Sequence, residues 1–167
     1  QRYLESEKGV DFDGGLTVEQ QASATAIRGM LEYHFYFIAA DFRWGEHADA
    51  ICEAFFDLVP KPFRRIVFKM VDRTRRKTMY LQGTGRYTRD ELIASGKSDI
   101  DTMAVLLGDK AYLFGDHPTS TDASLFGTLE NVINFDADTP LKQIALRHDN
   151  LVAYCNRFRG EFFNDRD

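Results

Sequence analysis

The sequence predicts an all-α domain. Apolar residues recur at three-to-four spacing through most of the 167 residues, which is the period of an amphipathic helix. A Thr followed three positions later by an acid or an amide precedes several of these stretches, and this pattern marks helix starts. The alternating apolar pattern of a β-strand does not occur. These observations favour a bundle of packed helices.

The composition is that of a folded protein of one-domain size. Apolar residues make up 44% and aromatic residues 13% of the chain, whereas disordered segments are poor in both. The net charge of −5 argues against a general nucleic-acid binder. No apolar run approaches the ~20 residues that span a bilayer, and the amino terminus has no signal-like segment. We therefore expect a cytoplasmic protein.

The first residues differ in pattern from the remainder. Residues 1–9 (QRYLESEKG) have the composition of the last turns of a helix closed by a glycine. The following residues, up to 16, are rich in Gly and Asp and indicate a linker. We expect residues 1–16 to be the end of a preceding domain's last helix and a linker, and residues 17–167 to form the helical domain.

The longest helical pattern begins at Thr17, with Gln20 as its capping partner. Its apolar face runs from Ile27 to Phe42, and we expect the helix to end near Trp44. Gly29 weakens its middle, because glycine is a poor helix former.

A short helix predicted over residues 47–58 precedes a basic helix over residues 63–82. Pro60 and Pro62 mark the boundary between them. We expect the basic helix to present one apolar face and to carry its cations on the others. The apolar positions are Phe63, Ile66, Val67, Met70 and Thr74.

Residues 61–77 carry eight Lys or Arg and one acid, Asp72. This cluster indicates either a patch for anionic membrane or nucleic acid, or a solvated helix face that pairs with the acidic remainder of the chain. The second interpretation is favoured, so membrane association is open but not expected.

The remaining helices follow after the GTGRY turn, which we expect Arg86 to anchor to a carboxylate. Thr88 and Glu91 form a capping box at the start of a helix, or a broken helix pair, that ends near Leu107. A short helix follows Thr139-Pro140, and a last one is predicted over residues 148–163.

The stretch GDHPTSTDASLFG at residues 115–127 admits two interpretations. Hydroxyl groups beside an acid and near His117 suggest a nucleophile. Thr119 and Asp122 also have the spacing of a capping pair, and an amphipathic helix follows them. No second base lies at a motif-like distance, so the capping interpretation is favoured.

The sequence contains no convincing metal or redox motif. Cys52 and Cys155 form no CxxC pair, and the four histidines share no ligand spacing. His47 with Asp49 and Glu53 is a scattered set and a weak metal signal. We expect no metal site.

The order of these parts resembles the helical carboxy-terminal domain of glutathione transferases, and within them the failed-axon-connections and metaxin-like branch. The residues that carry the resemblance are YLFGDHPTSTDASLFG, QGTGR at 82–86, NLVAYCNRFRGEFF near the end, and the arrangement Glu32, Tyr36, Arg43 and Trp44. The resemblance covers residues 1–163, essentially the whole chain.

The resemblance implies a thioredoxin-like domain before this one, which binds glutathione and carries the residue that activates its thiol. The chain would then hold no catalytic residue and be inactive alone, with Thr119 and Asp122 as a structural helix cap. It would supply walls of a pocket for a small hydrophobic electrophile and part of a homodimer contact.

Five residues of the long helix are candidates for that pocket, with Arg43 able to hold an anion. The alternative is that the aromatic ones are ordinary core. The candidates are Tyr33, Tyr36, Phe37, Arg43 and Trp44.

Two functions remain open at this point. The parent is either a glutathione-using transferase, or a non-catalytic binding or adaptor protein of the failed-axon-connections and metaxin type. The glutathione-activating residue that would separate them is not expected within these 167 residues.

Overall fold

The computed structural model describes residues 2–9, 11–46, 59–136 and 138–163. Within these ranges the chain is helical, as predicted, and its only β feature is an isolated bridge between Tyr112 and Gly115. A first helix, α1 (Arg2–Lys8), lies where the sequence predicted the end of a helix. The helix predicted over residues 47–58 lies outside the described residues.

A long helical run comprises α2 (Val18–Met30), a π-helical turn (Leu31–Phe35) and α3 (Tyr36–Glu46). The predicted capping box starts it: the Gln20 amide donates to Thr17 Oγ1 at 3.2 Å, and the Thr17 amide donates to Gln20 Oε1 at 2.9 Å. The π turn was not predicted, and turns of this kind are frequent at functional sites. The run buries Ile27, Leu31, Phe35, Ile38 and Phe42.

The next helix is α4 (Lys61–Gln82). Its predicted apolar face is open, since Phe63, Ile66 and Met70 are 57%, 58% and 68% exposed. Three-to-four spacing identifies an apolar face but does not show whether a neighbour covers it.

The side of α4 that contacts α3 is partly charged. The ring of Phe68 stacks on Trp44 at 6.3 Å between centroids. Arg75 lies between two carboxylates, donating to Asp41 at 2.8 Å and to Asp72 at 2.9 Å. An arginine that is paired with carboxylates in this way can lie in a helix interface, where the sequence pattern alone would predict apolar residues.

The turn after α4 depends on backbone geometry. Gly83 ends the helix with φ of 120°, a conformation that side chains disfavour. Arg86 anchors the turn by donating to the Tyr80 carbonyl at 3.1 Å, with its cation 5.1 Å from the centre of the Tyr80 ring. The acceptor is therefore a backbone carbonyl and not the expected carboxylate.

The remaining helices are α5 (Arg89–Leu107), α6 (Ser120–Ile133), α7 (Pro140–Ala145) and α8 (Asp149–Phe162). The predicted Thr88–Glu91 box starts α5, which is one unbroken helix. These four helices and the long helical run enclose the core. Its largest fully buried side chains include Phe35, Leu31, Ile100, Met103, Leu125, Leu129 and Tyr154.

The predicted linker is fastened to the start of α6. Asp13 accepts from the Ser120 amide at 3.0 Å and from the Ser120 hydroxyl at 2.7 Å. Arg28 donates to the same two side chains, at 3.3 Å to Asp13 and 2.6 Å to Ser120. The linker and α2 thereby fix the position of the α6 amino terminus.

Candidate functional site

The stretch before α6 forms a buried hydrogen-bonded centre around Asp122. The side chain of Asp122 is fully buried and accepts from the amide and hydroxyl of Thr119, at 2.9 and 2.8 Å. Its other oxygen accepts from the Leu113 amide at 2.9 Å and the Tyr154 hydroxyl at 3.3 Å. The carboxylate thus ties the loop at 113, the start of α6 and helix α8 together.

This geometry favours the capping interpretation over the nucleophile interpretation. Thr121 and Asp122 are completely buried, and the half-buried hydroxyls of Thr119 and Ser120 donate to carboxylates and not to His117. Burial raises the pKa of Tyr154, and the neighbouring Asp122 raises it further. The centre is built to hold backbone segments in place.

A cavity of about 300 Å³, here called the Arg43 cavity, lies between the long helical run and α6. Its apolar wall consists of Leu31, Ala39, Ala40 and Ala123. The small side chains at three of these positions leave part of the space between the two helices unfilled. Tyr36 and Arg43 both line it, so the structure brings together two of the five candidates from the sequence.

The guanidinium group of Arg43 is only partly satisfied. Nη1 donates to Asn131 Oδ1 at 2.7 Å, and the cation lies 5.7 Å from the centre of the Phe135 ring. Nε is buried and has no acceptor in the described part of the chain. At the far end of the cavity, Glu32 accepts from the Ser124 hydroxyl at 3.1 Å.

The other candidates are divided between a second cavity and the surface. Tyr36, Phe37 and Trp44 line a cavity of about 560 Å³ between α3 and α4, called the Trp44 cavity, with the Tyr36 and Phe37 rings edge to face at 5.3 Å. Tyr33 lines neither cavity and is 73% exposed. Tyr36 is 54% exposed, so these two tyrosines are not core residues.

Sequence reasoning missed a polar chain beside the π turn. Nδ1 of His34 lies 2.6 Å from Asp99 Oδ2, and the Ser95 hydroxyl lies 3.3 Å from His34 Nε2. Burial raises the pKa of Asp99, and the hydrogen bond with His34 opposes that rise. Ser95 and Asp99 are one turn apart on α5, but their partner lies 65 positions from Asp99 in the chain, where no local pattern points to it.

Ser95, His34 and Asp99 are connected in the same order as the catalytic triad of a hydrolase. A second requirement of that mechanism, a set of donors for the oxyanion, is missing at Ser95. Acyl transfer needs donors aimed at the developing oxyanion. Ser95 lies inside α5, where the backbone amides are already bonded within the helix. The chain of contacts is better explained as a polar link that fixes the π turn against α5.

Two buried groups that could in principle ionise, the thiol of Cys155 and the phenol of Tyr112, are held in their neutral form. Cys155 is buried, and burial raises the pKa of its thiol to about 12. Burial and the hydrogen bond to Glu161 raise the pKa of Tyr112 to about 12. Both groups therefore stay protonated at neutral pH, which disfavours ionisation chemistry.

Metal sites are absent from the described part of the chain. Its residues include no group of three or more His, Cys, Asp or Glu side chains arranged to hold a metal ion. The candidate set His47, Asp49 and Glu53, like Cys52, lies outside the described ranges. None of the described helices combines the length and apolarity that a membrane crossing requires.

Comparison with known proteins agrees with this architecture. Residues 96–158 match the family model described as glutathione S-transferase, C-terminal domain. No solved structure is significantly similar to the chain.

Three curated relatives cover nearly all of the chain. Isoprene-epoxide–glutathione S-transferase of Rhodococcus sp. is 28% identical over 96% of the chain, failed axon connections of Drosophila melanogaster is 26% identical over 93%, and human metaxin-2 is 24% identical over 95%. The chain spans 69%, 41% and 62% of their respective lengths. In its all-helical fold the chain is therefore similar to the helical C-terminal domain of glutathione S-transferases, which its residues 96–158 match, and its relatives include failed axon connections and metaxin-2.

Proposed function

We propose that this chain is the substrate-pocket domain of a protein that uses glutathione, and that the Arg43 cavity receives the apolar co-substrate. The observation that carries the proposal is the cavity itself, with apolar walls and a small polar set that includes Tyr36 and Arg43. Small-molecule sites typically combine these two features. The similarity to a glutathione S-transferase over 96% of the chain supports glutathione as the second substrate.

Thiol activation is assigned to a segment outside this chain. The described cysteine and the buried tyrosines are held protonated, so they are unsuited to stabilising a glutathione thiolate. A thioredoxin-like domain that precedes the chain would bind glutathione and bring its sulfur to the cavity.

We also infer that the intact protein is a cytoplasmic homodimer that does not bind nucleic acid. Light scattering tests the homodimer, and cell fractionation tests the localisation.

Conjugation kinetics of the intact protein test the proposal. With glutathione saturating and a small epoxide varied, Tyr36→Ala is expected to raise the KM for the epoxide about tenfold, because ~1.4 kcal/mol of binding is tenfold in affinity. Tyr33→Ala is the matched control, since Tyr33 is equally aromatic but lines neither cavity, and its KM should stay within about twofold. Equal effects of the two substitutions would rule out the cavity as the substrate site.

The second candidate is a non-catalytic binding or adaptor protein of this fold. The observation in its favour is that failed axon connections and metaxin-2 align over 93% and 95% of the chain, as fully as the transferase does. Calorimetric titration of the intact protein with glutathione separates the two functions. Heat of binding together with conjugation supports the transferase, whereas a folded protein that binds no glutathione supports the adaptor.

A further inference from the structure

Arg43 carries a cation that nothing in the described part of the chain neutralises. Its described partners are the side-chain amide oxygen of Asn131, at 2.7 Å, and the ring of Phe135. Other arginines at helix contacts are paired: Arg75 lies against two aspartates, and Arg159 donates to Glu130 at 2.7 Å. Arg43 has no carboxylate partner among the described residues, and it lines the Arg43 cavity.

The geometry of the guanidinium shows which part of it lacks a partner. A guanidinium presents one edge formed by Nε and Nη2, and a carboxylate can accept from both nitrogens of that edge at once. Asn131 occupies Nη1, on the other side of the group. Nε is buried without an acceptor in the described part of the chain, so the bond to Asn131 is the one hydrogen bond that the described residues give this guanidinium.

The apolar surroundings of Arg43 make a guanidinium group without an anionic partner unfavourable. Leu31, Ala39 and Ala123 line the same cavity, and apolar walls do not hydrogen-bond a cation. A donor buried without a partner loses its hydration and gains nothing in return. An anion bound at the accessible part of the guanidinium would supply the charged partner that these walls do not.

The negative charge already in the cavity does not supply this partner. Glu32 is eleven residues before Arg43, which corresponds to about 16 Å along a helix axis. Its carboxylate accepts from Ser124, across the cavity at that far end. The two charges therefore mark opposite ends of one apolar space.

We infer that the ligand of the Arg43 cavity is a compact apolar molecule that carries a carboxylate, and that this carboxylate pairs with the guanidinium group of Arg43. The inference rests on the proposed function, because it names the chemical class of the ligand for the same cavity. The volume of about 300 Å³ lies at the small end for ligand sites, which favours a short aryl-alkyl or alkyl acid.

Calorimetry and NMR titration of the chain with a matched pair of probes test the inference. The probes are 4-phenylbutanoate and 4-phenyl-1-butanol, which share the apolar part and differ in the carboxylate. We expect the acid to bind at least about tenfold more tightly, with shifts at the Asn131 side-chain amide, since one good charge-assisted contact is worth that factor. Equal affinities would overturn the inference and leave the proposed function standing, whereas binding of neither probe would overturn both.

Three variants tie the preference to Arg43. Arg43→Met should abolish the advantage of the acid over the alcohol, and Arg43→Lys should retain only part of it, because lysine has no planar edge. Arg147→Met is the matched control, since Arg147 is exposed, and it should change neither affinity by more than about twofold. An advantage that survives in Arg43→Met would refute the inference, and Arg43→Lys serves the same purpose if the Met variant does not fold.

A glutathione arm distinguishes two sources of the carboxylate. Glutathione itself carries carboxylates, so it is titrated alone and in competition with 4-phenylbutanoate. If glutathione does not change the affinity for 4-phenylbutanoate, the guanidinium group of Arg43 binds the co-substrate. If glutathione competes with 4-phenylbutanoate and this competition disappears in Arg43→Met, the guanidinium group of Arg43 binds glutathione. That result would overturn the inference that the ligand is an apolar acid.

Discussion

Asp122 and Arg43 are both ionisable side chains set among apolar helices, and they differ in how fully their hydrogen bonds are satisfied. Asp122 accepts from two amides and two hydroxyls, at 2.8–3.3 Å, and is completely buried. Arg43 makes one hydrogen bond, and its Nε is buried with no acceptor from the described segments. A polar side chain whose hydrogen bonds are all made within the protein stabilises the fold. A charged side chain that lines a cavity and makes few such bonds is suited to binding a ligand.

The largest effect is expected at Asp122. Replacing it with Ala leaves the Leu113 and Thr119 amides buried without an acceptor, so the free energy of unfolding should fall by about 3–5 kcal/mol. Urea denaturation followed by circular dichroism measures this loss. Asp116→Ala, at an exposed position of the same loop, is the control and should cost less than about 0.5 kcal/mol. A loss below about 1 kcal/mol at Asp122 would contradict its structural role.

A smaller effect is expected at Tyr154, the partner of Asp122 on α8. Tyr154→Phe keeps the buried ring and removes the hydroxyl that donates to the Asp122 carbonyl at 3.0 Å. The expected loss of unfolding free energy is about 1 kcal/mol, the usual net value of one hydrogen bond. Because the two residues share one network, the double variant with Asp122→Ala should be less destabilised than the sum of the single losses. Strict additivity would show that the two side chains act independently.

Local patterns in the sequence predicted much of the fold. The capping boxes at Thr17–Gln20 and Thr88–Glu91 are present, since both partners of each box lie within one helical turn. The short helix after Thr139-Pro140 also begins where its start signal predicted, and the last helix lies within the predicted range of residues 148–163. Such signals depend only on short-range geometry, so one sequence is enough to reveal them.

Features that depend on distant partners were beyond sequence reasoning. The π turn at Leu31–Phe35 lies in an otherwise regular helical pattern, and the exposed side of α4 depends on what packs against it. The candidate site shows the same limit. Arg43 and Tyr36 could be named from the long helix, but Asn131 lies 88 positions from Arg43, and only the fold shows which edge of the guanidinium it occupies.

A modest effect on binding is expected at the other end of the Arg43 cavity. Glu32→Gln removes a negative charge that repels a carboxylate bound in the same cavity. At separations on the order of 15 Å, two charges interact by roughly 0.3 kcal/mol in water and about 1 kcal/mol at an effective dielectric constant of about 20. The affinity for 4-phenylbutanoate should therefore rise about two- to fivefold, as measured by calorimetry at pH 7. The neutral 4-phenyl-1-butanol is the control and should bind unchanged. A gain shared by both probes would indicate a change in cavity shape and not in charge.

The smallest effect on stability is expected at Arg43, and it separates the two regions most clearly. Arg43→Met loses the bond to Asn131 and the contact with Phe135, together about 1–2 kcal/mol, but it also removes a buried donor whose lack of a partner costs about 1–3 kcal/mol. These contributions nearly cancel, and the methionine side chain retains the apolar packing. The free energy of unfolding should therefore change by less than about 1 kcal/mol in either direction, in the urea experiment used for Asp122. A loss above about 2 kcal/mol would mean that Arg43 stabilises the fold as Asp122 does. The guanidinium group of Arg43 would then be explained by this structural role and would not indicate a ligand.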